Sequence, residues 1–212
     1  MDAKLEQYIR DTFTAVPDLV TQYEQRARAL PIPPHHITPE VGKLLQVFVQ
    51  AVQAKSILEI GTMWGYSAWW LAQGLDRDGK ILTLEKELKH YNLAKQFLVD
   101  LQLDQVELQH ADALKVLSTY ADNQFDFVFL DADKREYLQV LDEVERVLQP
   151  GGLFIVDNVL LSSGWDNQTV ADETTNERIQ IVQAFNKRLA TSALWSAVPL
   201  ALRSGIMVAV KQ

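Results

Sequence analysis

The stretch ILEIGTMWGYSAWW, residues 57–70, decides the fold. A short apolar run from Ile57 to Ile60 enters a turn flanked by Gly61 and Gly65 and leaves it with helical character. A run this short, bounded by a turn, reads as a buried strand rather than a helix. Glycine at the two edges of the turn permits positive φ and lets backbone approach a ligand closely. The spacing Gly-x-x-x-Gly is not the Gly-x-Gly-x-x-Gly that seats a dinucleotide pyrophosphate on a helix N-terminus. Glu59, beside the turn, repels phosphate and suits a cationic group such as the amino group of an amino acid. An ordinary strand-to-helix turn stays open as the alternative for this segment alone.

Outward from that stretch the pattern repeats. SILEI (56–60), KILTLE (80–85), VELQ (106–109), FDFVFLD (125–131) and LFIVD (153–157) read as strands. Helical patterns near 66–74, 88–101, 112–120 and 134–148 separate them, and another follows at about 173–190. Apolar strands alternating with amphipathic helices imply a parallel sheet covered on both faces. ALWSAV (193–198) and GIMVAV (205–210) have no helix between them, so one of the two is expected to run antiparallel. The fold class is α/β: a doubly wound, mostly parallel, seven-stranded Rossmann-like sheet with helices on both faces.

Before it lie helical segments at roughly 2–14 and 17–29, then a breaker cluster from Pro31 to His36. Thr38-Pro39-Glu40 reads as a helix start, with Thr as N-cap and Pro in the first turn. Val41, Leu44, Leu45, Phe48, Val49 and Val52 carry that helix on one face to about Gln53. The expected organisation is one domain over 1–212, with a helical extension at 1–38 and a cofactor-binding, catalytic core at 39–212.

Hydrophobic residues make up 48% of the 212, too many for a disordered chain. No apolar run approaches the ~20 residues needed to cross a bilayer, and the charged start MDAKLEQYIRDTF lacks the apolar centre of a signal peptide. The absence of cysteine removes disulfides, thiolate nucleophiles and zinc–thiolate sites. These features set a cytoplasmic expectation. A net charge of -8, with no basic residues clustered among aromatics, argues against nucleic acid as partner.

In open α/β sheets the ligand lies beyond the carboxyl ends of the strands, where strand order reverses. The remaining informative residues sit at such ends. Glu85 closes the second strand roughly 20 residues past the glycine turn, where an acid accepts hydrogen bonds from both ribose hydroxyls. A solvated surface acid is the alternative. Asp112, after the third strand where an adenine edge would lie, either bonds to the adenine or caps the helix ahead, and the cap is the favoured reading. The fourth strand runs into Asp131-Ala132-Asp133-Lys134 and the fifth into Asp157-Asn158. Asp131, Asp157 and Asn158 would converge from neighbouring strands as hard oxygen donors, suited to magnesium, calcium or manganese. Helix caps are the competing reading of each aspartate. Lys134, near a helix start, is poorly placed for the helix dipole, which points to another task. A neighbouring cation disfavours its ammonium form and suits it to act as a base.

At this point the chain resembles the catechol and caffeoyl-CoA O-methyltransferase family in its smaller bacterial form. The motifs are ITPEVGKLL (37–45), LEIGTMWGYS (58–67), ILTLE (81–85), FVFLDADKREY (127–137), GGLFIVDNVL (151–160) and FN (185–186), and the likeness runs from about Pro33 to Lys211. The resemblance implies S-adenosylmethionine as cofactor, contacted by Ile37, Glu59, Gly61, Thr62, Ser67, Glu85, Ala113, Asp131 and Asp133. It implies a divalent cation, magnesium first, on Asp131, Asp157 and Asn158, and catalysis by Lys134 as general base with Asp131. The implied partners are a catechol-like small molecule and a second copy of the chain, with no membrane.

Two departures bear on the substrate. His36 stands where the family usually has Met, and Pro199-Leu200-Ala201-Leu202-Arg203-Ser204-Gly205 replaces a Pro-x-Gly-Asp-Gly signature. Competing functions are methylation of hydroxylated uridine in tRNA, nicotinamide-dependent oxidoreduction, and cofactor binding without activity. The first conflicts with the net charge and the second with the glycine spacing. The third would have no use for Lys134 beside three cation ligands.

Overall fold

Continuous apolar sequence makes strands that are buried on both faces, and β4 (Phe125–Leu130) shows it: Phe127, Val128, Phe129 and Leu130 are all fully buried. The computed structural model describes residues 3–30, 36–161 and 173–212. Seven strands lie in the order β3-β2-β1-β4-β5-β7-β6. The chain divides into two compact units, Met1–Lys55 with Gly61–Ala111, and Ser56–Ile60 with Asp112–Gln212.

The first unit holds α1 (Ala3–Phe13), α2 (Asp18–Arg28), α3 (Pro39–Val52), α4 (Tyr66–Gly74), β2 (Lys80–Glu85), α5 (Leu88–Asp100) and β3 (Val106–His110). Thr38 takes the N-cap position of α3 with extended backbone, and Pro39 begins the helix as expected, but the threonine side chain makes no capping bond. Tyr23 of α2 packs edge-on against Phe97 of α5 and donates to Asp100 Oδ2 at 2.5 Å. Strands β2 and β3 pair in parallel, placing Glu85 opposite His110. The edge strand β3 is only partly covered. Val20 of α2 is fully buried and belongs to the core.

The second unit holds β1 (Ser56–Ile60), α6 (Ala113–Val116), β4, α7 (Tyr137–Val147), β5 (Leu148–Asp157), α8 (Glu173–Thr191), β6 (Trp195–Leu200) and β7 (Ile206–Lys211). Here β1, β4 and β5 run parallel, with Ile60 level with Leu130 and Leu130 level with Val156. Strand order reverses between β1 and β4, so the strand ends that matter emerge side by side. β7 runs antiparallel to both β5 and β6, as expected of one of the last two strands. Ile179, Val182, Phe185 and Leu189 bury one face of α8, and Arg188 ties it to Asp142 and Glu145 of α7 at 2.6 Å each.

Three boundaries differ from the sequence reading. β5 starts at Leu148 and passes through Pro150-Gly151-Gly152, residues that locally signal a turn. The helix expected from 112 is a four-residue turn of α-helix followed by a 3-10 turn. Lys134 lies in a 3-10 turn, Lys134–Glu136, with α7 starting only at Tyr137. The breaker residues Pro31 to His35, and Trp165 in the late segment that the sequence offers beside the N-terminal helices as a dimer surface, lie outside the described residues.

Candidate active site

In the first unit the site begins with backbone chemistry. The turn after residue 60 puts Gly61, Met63 and Gly65 at φ of 88°, 55° and 92°. Gly65 has no substitute there: a Cβ would stand 2.9 Å from the Phe97 ring in a conformation side chains rarely adopt. Glu85 is 6% exposed and thus no surface acid. Its Oε2 accepts the Met63 amide at 2.8 Å, its Oε1 accepts the Glu87 amide at 2.8 Å, and His90 Nδ1 lies 3.7 Å from Oε1. The carboxylate therefore holds the glycine turn to the end of β2 while lone pairs remain for a ligand. Thr62 is buried with a hydroxyl that bonds to no described residue, an orphaned polar group of the kind a ligand satisfies. Ser67 in the first turn of α4 and Ile37 before α3 are also buried. His36 packs edge-on against Trp64 and Tyr66, its Nε2 3.5 Å from Glu24.

In the second unit the ends of β4 and β5 build a denser cluster. Asp131 follows Leu130, its amide donating to Ile60 O at 3.0 Å. Lys134 Nζ donates to Asp131 Oδ1 at 3.3 Å, Ala132 O at 3.1 Å and Tyr137 Oη at 2.7 Å. Tyr137 is fully buried and donates to the backbone carbonyl of Asp157 at 2.8 Å. Burial, then the neighbouring carboxylates Asp131, Asp157 and Asp133, hold that phenol protonated well above its usual range. The Asp157 carboxyl is pushed up to about 7 by burial and by the charge of Asp131, against the opposing pull of Lys134. Its Oδ1 accepts the Asn158 amide at 2.7 Å. Asn158 takes a left-handed φ of 58°, and its Nδ2 donates to Ser204 Oγ at 2.7 Å.

Of the expected cation ligands, Asp131 and Asp157 lie close enough to influence each other's charge and Asn158 is bonded to Asp157, a donor set whose chemistry fits a hard cation. Two carboxylates that disfavour each other's charge, with an amide beside them whose nitrogen is already engaged, form the set a divalent ion relieves. Among the described residues no group of three or more His, Cys, Asp or Glu is disposed to hold a metal, so any cation site here depends on the amide and on solvent or substrate oxygen.

Of the other expected contacts, Glu59 is fully buried in β1 and Ala113 is buried at the start of α6. Asp133 caps the 3-10 turn through the Arg135 amide at 3.1 Å and pairs with the Arg135 guanidinium. The hydrogen bonds to Arg135 hold the Asp133 carboxyl down at about 2. Asp112 accepts the Leu114 amide at 3.1 Å and is the cap it was read to be. Sequence reading assigned no role to Tyr137, Ser204 or Asn186. Tyr137 had a local signal, sitting one turn beyond Lys134. Ser204 showed only as a departure from a signature. Asn186, which donates to Val159 O at 2.7 Å, stood within the FN motif.

A glycine turn and a buried acid in the first unit, and a lysine–carboxylate cluster in the second, all stand at carboxyl ends of strands, where open α/β sheets bind their ligands. The O-methyltransferase family model matches residues 11–212, and the chain belongs to that family. It is 30% identical over 212 residues to a catechol O-methyltransferase of Niastella koreensis, spanning 98% of this chain and 92% of the relative. A catechol O-methyltransferase of Mycobacterium tuberculosis is 37% identical over 140 residues, or 64% of this chain and 62% of the relative. Among solved structures, the Bacillus cereus O-methyltransferase in complex with SAH superposes with a TM-score of 0.89 at 32% identity, covering 99% and 97% of the two chains. The Streptomyces achromogenes O-methyltransferase TomG, involved in tomaymycin synthesis and solved with SAM, gives 0.88 at 27% identity over 99% and 96%.

Proposed function

We propose that this enzyme moves the methyl group of S-adenosylmethionine to a hydroxyl of a catechol-like small molecule, with a divalent cation, magnesium first, on Asp131, Asp157 and Asn158. The observation that carries the reading is the junction of Lys134, Asp131, Tyr137 and Asp157 at neighbouring strand ends. A bound cation would lower the cost of an oxyanion on a vicinal diol. Glu85 would accept the ribose hydroxyls, and Ile37, Glu59, Gly61, Thr62, Ser67, Ala113, Asp131 and Asp133 would complete the cofactor contacts. Tyr137 holds Lys134 Nζ in register with Asp131, and Lys134 takes the proton of the reacting hydroxyl at Nζ. Alignment of the two reactants then supplies much of the rate, at best about 7–11 kcal/mol. The absence of cysteine and of any described helix long and apolar enough to cross a membrane supports a cytoplasmic enzyme.

Transfer of labelled methyl from S-adenosylmethionine to a panel of vicinal diols, with and without chelator, tests the reading. Transfer is expected with magnesium and not in excess chelator, and Lys134→Met should lower turnover strongly at neutral pH while diol binding changes little. Full activity in chelator would remove the cation. Methylation of monohydroxylated analogues as fast as of diols would remove the chelated substrate.

A further inference from the structure

The segment that follows β5 carries a proposed ligand, yet nothing in its own sequence explains how that ligand is aimed. Asn158 sits at φ 58°, in the left-handed region that asparagine tolerates better than most residues. The two residues after it are clamped by main-chain bonds from the turn between β6 and β7. Val159 N donates to Gly205 O at 3.1 Å, and Leu160 N donates to Ser204 O at 2.7 Å. Asn186 of α8 holds the same segment from another side through Val159 O. The clamp fixes the backbone at Asn158, but it does not settle which end of the amide faces the carboxylates. An amide can rotate so that its NH2 or its oxygen faces a neighbour, and only the oxygen ligates a cation. Beside two carboxylates the NH2 end is the one electrostatics would draw inward.

We propose that Ser204 is a positioning residue: by accepting Asn158 Nδ2 at 2.7 Å it commits the NH2 end of the amide to the turn and keeps the carbonyl oxygen for the cation. This rests on the reading of Asp131, Asp157 and Asn158 as cation ligands. The role belongs to the side chain alone, because the clamp that places the turn runs through main-chain atoms and survives substitution at 204. Groups that orient ligands in this way typically govern metal affinity by about 10–100-fold.

The test uses the whole chain and Mn2+ as the probe, with binding followed by calorimetry and by the electron paramagnetic resonance of free Mn2+. Ser204→Ala should weaken Mn2+ binding by about tenfold. S-adenosylmethionine affinity and the cation-free unfolding midpoint should stay at wild-type values, and Ser204→Thr, which keeps the hydroxyl, should restore Mn2+ affinity. Ser204→Ala binding Mn2+ as tightly as wild type overturns the proposal. A threonine variant that fails as alanine does, or an alanine variant whose cation-free stability falls together with its affinity, overturns it as well. Asp157→Asn separates the two levels. If that change abolishes Mn2+ binding while Ser204→Ala does not weaken it, the cation site stands and the inference alone fails. A wild-type chain that binds no Mn2+ overturns both.

Discussion

Glu85 shows how one side chain can tie together segments that lie apart in the sequence. Its carboxylate accepts backbone amides from Met63 and Glu87, so the turn that would carry the amino-acid end of the cofactor is tied to the acid that would carry its ribose. Glu85→Ala is expected to weaken S-adenosylmethionine binding by about 1.5–3 kcal/mol, the range for hydrogen bonds to a charged group, as read by calorimetry. An unchanged dissociation constant would leave Glu85 as a holder of the turn and nothing more. The position of Glu85 was legible in the sequence because a strand ending in an acid at that distance from a glycine turn is a local pattern. Its bond to Met63 was not, since the two residues approach only after β2 folds against the turn. Lys134 divides the same way. Its abnormal place near a helix start stands in the sequence, whereas Tyr137 as the group that orients it required the folded cluster.

At the scale of elements, α3 and α4 meet where a glycine of one accepts an indole of the other. A Cβ at Gly42 would lie 2.1 Å from Cδ1 of Trp70, far inside contact distance. Gly42→Ala should therefore destabilise the protein by about 1–3 kcal/mol, the cost of overpacking, seen as a lower urea midpoint with little change in slope. A midpoint equal to wild type would mean that Trp70 has room to move. The contact of α2 with α5 adds a pH dependence. Burial, then the hydrogen bond to Asp100, raises the Tyr23 phenol from 10.0 to about 12. A folded pKa above the unfolded one means that the native state holds its proton longer, so this contribution is complete below pH 10 and is lost as pH rises toward 12. Wild type should lose stability faster than Tyr23→Phe across that window, and parallel stability–pH curves would assign the alkaline loss to other groups.

For the molecule as a whole, the apolar residues left outside are the guide. Leu5, Tyr8 and Phe13 on α1 and Val47 and Val52 on α3 are each exposed by 45% or more. Large exposed apolar side chains gathered on neighbouring helices mark interaction surfaces more often than solvent-facing ones. A homodimer through this region is the expected assembly. Light scattering at micromolar concentration should give twice the chain mass, and Leu5→Glu with Phe13→Glu should reduce it to one. A wild-type monomer would refute the dimer, and an unchanged dimer in the double variant would move the interface elsewhere.

What the sequence by itself determined is whatever depends on near neighbours. Apolar runs of strand length, glycines at a turn, and acids at strand ends follow from backbone sterics and burial, which act over a few residues. The parallel sheet and the positions of Asp131, Lys134, Asp157 and Asn158 were legible for that reason. The tertiary structure alone decided that β5 extends back to Leu148, because Leu148 pairs with Phe125 of β4 while the register shifts across Pro150-Gly151-Gly152. It also decided that β7, not β6, lies against β5, and that Ser204 and Asn186 close on the segment after Asp157. Those partners stand tens of residues apart, and the hydrogen bonds that select them exist only once the sheet has brought the strand ends together.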